Sequence, residues 1–367
     1  MPRSGATPVT VISPFRGMKN LIINGDMAIN QRYGGGAISA VNSSGYLVDR
    51  WAGYQAGGGG AKFNTGRNQL GFSTPDAHIY YLNTNVVSAY TVTATDRFGI
   101  VQYIEGFLAA QLMYGTASAK TATLSFWVRS TITGLFGGAI RNSSNNRSYP
   151  FTYTISAANT WEKKSITIPG DTSGVWNRTN LMGIAIFFGL GTGTTYKGPA
   201  GAWAGAEYND AVGTVNLVAT NGANWNITGV QFEAGLTATE FERRDFATEL
   251  QLCQRYFEKS YDVETPPGTA TNNGAVSGST GELARNVAVT SFFRTTKRTV
   301  PIVSYYDIQG NLARATFVNA GTGAETSNIN TISVQHNGFN TAQWWGTTNT
   351  AGAAGFYRTH YLANAEF

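Results

Sequence analysis

The stretch from Gly229 to Tyr261, GVQFEAGLTATEFERRDFATELQLCQRYFEKSY, constrains the fold of this chain more than any other. It begins with strand composition and ends with a helical stripe. Phe246, Leu250, Cys253 and Phe257 follow one another at spacings of four, three and four, and Leu252 and Tyr256 add a second apolar flank. Asp245 can cap the first turn, and Thr248 and Gln251 have capping-box spacing. The spacing predicts a helix from about Asp245 to Ser260. On both sides of it the chain reads as β-structure, so the expected fold is all-β: two β-sandwich domains of jelly-roll type joined by one short α-helix.

The strands before the helix carry the period of two that a half-buried sheet requires. In TATLSFWVRS, Leu124, Phe126 and Val128 fall on one face, and in WEKKSITIPG, Ile166 and Ile168 stay in step. AHIYYLN, GIVQYIEG and NWNITGVQFEAG read as further strands. LMGIAIFFGL is apolar throughout and suits a strand covered on both faces. In NWNITGVQFEAG, strict alternation puts Trp225, Ile227, Gly229 and Gln231 opposite Val230 and Phe232. Gly/Ser/Asn loops separate these segments, and residues 189–216 form a loop long enough to need a purpose, in binding or against a neighbouring subunit.

After Tyr261, a Pro/Gly/Ser-rich passage leads to a second set of strands. RNVAVTSFFRT alternates, VPIVSYYDIQGNLARATFV reads as two strands about a turn, and the chain closes on a strand in GFYRTHYLANAEF. The expected division is an extended arm at 1–19, a first sandwich at 20–243, the helical connector at 244–261 and a second sandwich at 262–367. The arm holds Pro2, Pro8 and Pro14 and little periodicity, which suits a segment that orders against a partner.

Composition limits function. Charged residues are 13% of the 367, about half the ~25% of ordinary soluble domains. The surface is therefore built from Gly, Ser, Thr, Asn and Gln, as on extracellular and virion β-proteins. The net charge of +5 comes from scattered basic residues rather than from a stripe, so nucleic acid is not an expected partner. No apolar run has the length of a secretion signal or of a membrane span. A surface of extracellular type without a secretion signal fits a virion protein, assembled in a host cytoplasm and released by lysis. The lone cysteine, Cys253, reads as a small buried hydrophobe, and three histidines without a Cys/His cluster exclude the usual zinc sites.

Several segments taken in order resemble a known family. NLIINGDMAINQR, LVDRW, TLSFWVRS, WEKKSITIP, and ITGVQFEAGLTATEFERR followed by ELQLCQRYFEKS are similar to bacteriophage tail-fibre and related appendage proteins. FFRTTKRTVPIV and YLANAEF resemble the terminal domain often attached to that unit. The resemblance covers residues 20–367. It implies a first domain like a carbohydrate-binding module, a homotrimer, and a virion protein whose distal surfaces meet a host-surface glycan. Residues 1–19 would then dock to another virion protein. The resemblance also implies one structural calcium, with Asp26 and Glu233 at the matching positions, although the last strand lacks the second acid expected there. No other cofactor is expected.

The expected activity is binding without cleavage. No GxSxG, HExxH or Walker A motif is present, and the acids that strands bring forward, Glu105 and Glu233, read as hydrogen-bonded strand residues rather than as a glycosidase pair. A glycan depolymerase is one alternative; a structural virion piece such as a head fibre, spacer or capsid decoration is the other. Sugar rings stack on aromatic faces, so the candidate binding residues are Trp51 and Tyr54 beside a glycine run, and above all Trp344 and Trp345. Neighbours on a strand point to opposite faces, so those two tryptophans do not share a core. The wide helix face is expected to gather subunits, with Leu250, Leu252, Cys253, Tyr256 and Phe257 at the oligomer interface.

Overall fold

Alternating apolar residues drive the first domain into two facing antiparallel sheets. The computed structural model describes residues 18–34, 45–68, 71–280, 286–329, 332–347 and 354–367. The front sheet has six strands, in the spatial order Gly45–Val48, Trp51–Ala56, Arg97–Glu105, Met182–Thr192, Gly134–Arg141 and Ser148–Ile155. The back sheet has five: Phe63–Arg67, Leu82–Val86, Asn224–Ala234, Ala122–Ser130 and Glu162–Ile168. Between them lie Trp51, Ile100, Phe126, Ile186, Phe188 and Trp225, all buried. Burial of each such side chain contributes about 1.5–3 kcal/mol. The apolar strand Met182–Thr192 is central in the front sheet and covered on both faces, as its composition requires.

One expectation about facing fails instructively. Trp225, Ile227, Val230 and Phe232 all point into the core. The pairing with Ala122–Ser130 shifts register between Thr228 and Gln231, and Gly229 takes φ of +60°. This β-bulge adds one residue and restores the apolar face after it. Further differences are local. The segment 77–81 is not a strand, and pairing begins at Leu82; NLIIN is buried but forms no strand.

The helix is shorter than its stripe. It runs Phe246–Gln254 and is capped by Asp245, whose carboxylate accepts from the Thr248 amide at 3.0 Å. The chain then leaves the helix, and Phe257–Lys259 pairs with Leu362, Ala363 and Asn364 of the last strand. Much of its apolar face is buried within the chain. Cys253 and Tyr256 are buried with Ile23 and Ile29, and Leu250 and Leu252 pack on the same cluster with Met18, Leu108 and Phe367. Phe257 is buried beneath the Arg32 guanidinium, 3.7 Å from the ring centroid. This corrects the expected oligomer interface at Cys253, Tyr256 and Phe257, which are buried within the chain, whereas Leu250 and Leu252 pack on the same cluster but stay half-exposed. Phe246, which opens the stripe, is exposed.

In the second domain the last strand, Gly355–Asn364, is the spine. Phe257–Lys259 and Val276–Thr280 pair along one of its edges, and Ile302–Tyr306 and Ala315–Asn319 along the other. The two strands read from VPIVSYYDIQGNLARATFV therefore lie end to end rather than as a hairpin. A second sheet has Thr341–Thr347 between Asn286–Phe292 and Ile332–Gln335. Val289, Tyr305, Phe317, Trp344 and Tyr357 fill the space between.

The last residues fold back onto the first domain. The Ala365 amide donates to the Tyr256 carbonyl at 2.7 Å. Glu366 pairs with Arg50 and, at 3.3 Å, with Arg32. Arg298 holds the Ala365 and Glu366 carbonyls and lies 4.0 Å from the Phe367 ring centroid. At the other end, Lys19 Nζ donates to Thr239 Oγ1 at 2.8 Å. The rest of the expected docking arm, residues 1–17, lies outside the described residues.

Candidate functional site

The outward face of the front sheet carries a second apolar cluster, separate from the core. Strand parity places Ala52 and Tyr54, Val101 and Tyr103, and Ala185 and Phe187 on this side, with Tyr46 from the edge strand. The Tyr54 ring meets Phe187 edge-on, with centroids 5.7 Å apart at 84°. Tyr46, Tyr54 and Tyr103 are half-buried, so each keeps part of its ring in reach of solvent.

Two walls stand on this floor. One is the long loop after the Met182–Thr192 strand. Its short parallel bridge, Lys197–Gly198 with Asp210–Ala211, lies directly on the sheet. The sheet makes room by having no side chain at Gly189, where a Cβ would sit 2.5 Å from Asp210 Oδ2. Asp210 is buried there, and burial pushes its carboxyl up to about 6 although Thr214 Oγ1 donates to it at 2.8 Å. Asp210 thus anchors the loop to the sheet. The other wall is the returning C-terminal segment with Ile302, which is 77% exposed. Between Tyr46, Ala52, Gly53, Tyr103, Ile302 and Phe367 is a groove of about 460 Å³.

A charged cluster closes the loop end. Arg97 and Arg141 each place an Nη1 on the same Glu207 oxygen, at 2.8 and 2.7 Å. Arg141 Nη1 also donates to Asn209 Oδ1 at 2.8 Å. The Arg141 guanidinium carbon is 4.3 Å from the Phe187 ring centroid, and that of Arg97 is 5.3 Å from Tyr54 and 4.0 Å from Tyr196. Burial pulls the Arg141 guanidinium below its ordinary range, with Glu207 opposing the shift. The arrangement offers flat aromatic rings beside fixed N–H donors, which is the chemistry that holds a sugar.

Of the residues expected to bind sugar, Tyr54 lies on this face and Trp51 does not. Trp51 is buried in the core, and its Nε1 donates to the Asn24 carbonyl at 2.8 Å. The two are three positions apart on one strand and so point to opposite sides. Trp344 is likewise buried, with its Nε1 on Thr359 Oγ1 at 3.2 Å. Both tryptophans are corrections, since neither ring presents a stacking face. Trp345 points outward at 43% exposure, and its Nε1 donates to Gln343 Oε1 at 2.7 Å.

The expected calcium ligands have other occupations. Glu233 accepts from Gln231 Nε2, the Thr239 amide and Thr239 Oγ1 at 2.7–2.9 Å. Asp26 lines a cavity of about 270 Å³ with Arg244, Phe246 and Glu249. Among the described residues, no three His, Cys, Asp or Glu side chains gather as a metal site would need. Glu105 and Glu233 lie in opposite sheets.

Sequence reading missed Arg97, Tyr103, Arg141, Phe187 and Glu207. The outward parity of Tyr103 and Phe187 was legible, but their pairing across strands was not. The signal that joins Glu207 to two arginines far away in sequence exists only in the folded loop.

No protein-family model and no curated protein matches the sequence. Solved structures that align with part of this chain include the enzymatically active domain of tailspike protein 4 from bacteriophage CBA120, at 12% identity and a TM-score of 0.34, covering 59% of this chain and 22% of that one. A putative sugar binding protein from Bacteroides thetaiotaomicron aligns at 12% identity and a TM-score of 0.33, over 59% of this chain and 100% of its own. The CBM22-1–GH10 modules of Clostridium thermocellum xylanase 10B, complexed with xylohexaose, align at 12% identity and a TM-score of 0.28, over 58% of this chain and 30% of theirs. The chain thus spans about a fifth of the tailspike domain's length.

Proposed function

We propose that this chain is a virion appendage protein of a bacteriophage that binds a host-surface glycan on the outer face of its front sheet and does not cleave it. The observation that carries the glycan reading is the set of half-buried tyrosines on this face: Tyr46 and Tyr103 line the groove, and Tyr54 lies on the same sheet face beside the Arg97–Glu207–Arg141 cluster. Tyrosine rings stack on the C–H faces of sugars, and fixed donors read their hydroxyls. The virion reading rests on the charge-poor surface and on the resemblance of the ordered motifs to phage appendages. Residues 1–19 are the proposed attachment to another virion protein. The proposed homotrimer does not use Cys253, Tyr256 or Phe257, which are buried within the chain.

Binding without cleavage is supported by the state of the two acids considered as a pair, which lie in opposite sheets: Glu105 is held by Arg255 and Tyr256, and Glu233 by Gln231 and Thr239. Incubation with host capsule or lipopolysaccharide tests the proposal. Retention of glycan with no release of reducing ends is expected. Release of reducing ends would make the protein a depolymerase. Failure to bind host cells, with collapse of particles that lack the protein, would make it a structural piece instead.

A further inference from the structure

Resting on the reading of the front-sheet face as the sugar site, we infer that the sugar held there is acidic: a saccharide bearing a carboxylate or other oxyanion, seated against Arg97, Arg141 and Asn209 with its ring on Tyr54. Two guanidiniums share one carboxylate beside Tyr54. The cluster of Arg97, Arg141 and Glu207 therefore carries one positive charge in excess. Its donors are also in excess. Arg97 Nε, Arg141 Nε and Asn209 Nδ2 are buried and have no hydrogen-bond partner among the described residues. An unmet buried donor is costly, and a folded chain rarely keeps three beside one another without a reason.

The three belong to one neighbourhood. The Nη1 atoms of both arginines meet at a single Glu207 oxygen, and Arg141 Nη1 also holds the Asn209 side chain. Tyr54, Arg97, Phe187 and Asn209 line one small cleft there. Arg141 and Asn209 are 5% and 3% exposed, so their orientation is set by packing rather than by solvent. A guanidinium fork matches the geometry of a carboxylate or phosphate, and a neutral sugar hydroxyl makes poor use of it. Glu207 already plays the part of such an anion. It lies in the loop wall and is the most exposed member of the trio, with 30% of its side chain accessible. An incoming carboxylate competes with it for the same donors.

The test is calorimetry on the full chain with a galacturonic-acid oligosaccharide, its carboxyl-reduced neutral counterpart, and inorganic phosphate alone. The acidic oligosaccharide is expected to bind about tenfold or more tighter than the reduced one, with the advantage shrinking as salt is raised. Glu207→Gln removes the internal competitor and should tighten the acidic ligand severalfold while leaving the reduced one unchanged. Arg97→Gln should bring the acidic ligand down to the affinity of the neutral one. Glu207→Gln keeps the side-chain shape, so the test survives if Arg97→Gln misfolds. Equal affinity for both saccharides, or no response to Glu207→Gln, would overturn the inference, as would phosphate displacing the oligosaccharide at comparable concentration. Tyr54→Ala separates the two levels. If it weakens both saccharides equally and neither is preferred, only the acidic class is wrong. If it weakens neither, the face itself is not the site.

Discussion

Arg255 and Glu105 join the helical connector to the first domain by a two-pronged ion pair. Arg255 Nε donates to Oε2 at 2.9 Å and Nη2 to Oε1 at 2.6 Å, and the Tyr256 hydroxyl donates to the same Oε2 at 2.6 Å. Glu105 ends a front-sheet strand, and Arg255 follows the helix. The carboxylate is 1% exposed on its side chain, so its charge depends on these donors. Beside it, the returning tail brings Glu366 to Arg50 and Arg32. The junction is thus held by polar pairs around a small apolar cluster, and it sets where the tail wall of the groove stands.

Arg255→Met should leave Glu105 a buried charge with one remaining donor. Loss of one partner of a buried pair costs about 3–5 kcal/mol, and the partial exposure of Arg255 places this case toward the lower end. Urea denaturation should show a lowered midpoint. An unchanged midpoint would mean that water already satisfies Glu105.

Tyr256 tests what the helix is for. The side chain is fully buried in its own chain, under the Arg50 guanidinium at 3.5 Å from the ring centroid. Tyr256→Ala should cost about 3–5 kcal/mol, as large buried aromatics do. The loss should not depend on protein concentration. A loss that grows on dilution would show that the helix packs against a second copy after all.

Asp210 gives a pH signature. Its carboxyl titrates at about 6 in the fold against 3.8 ordinarily, because burial penalises its charge. Between these values the folded state holds a proton that the unfolded state has released. Stability from this group is therefore present below about pH 4 and is lost as pH rises through about 6. Asp210→Asn should remove that slope. Comparing denaturation midpoints of the two proteins across this range checks it, and parallel curves would contradict it.

The sheets were legible because their signal is local. Leu124, Phe126 and Val128 alternate in the sequence and face the core in the fold. Facing failed at Gly229, where the bulge that realigns Val230 and Phe232 leaves one glycine as its only local mark. The helix stripe was legible, but its purpose was not. Tyr256 and Phe257 fit a helical pattern, yet the edge of the last strand offered hydrogen bonds that ended the helix at Gln254. The site was legible only at Tyr54. Its remaining members come from four strands and a loop, and only tertiary pairing brings them together.

The bulge itself can be tested. Gly229 holds φ of +60°, and a Cβ there would meet His78 Nε2 at 2.5 Å. Gly229→Ala should destabilise the first domain by about 1–3 kcal/mol, read as a fall in its melting midpoint. Insensitivity to the substitution would mean that the strand can pair without the bulge.

The central claim is that sugar is held on the front sheet and not on the second domain. Titration of host-surface polysaccharide into wild type, Tyr54→Ala and Trp345→Ala decides it, with melting curves confirming that all three fold. Loss of one stacking ring is worth about 1.4 kcal/mol, or about tenfold in affinity. The account predicts that loss for Tyr54→Ala and unchanged binding for Trp345→Ala. Wild-type affinity in Tyr54→Ala, with binding abolished in Trp345→Ala, would contradict it.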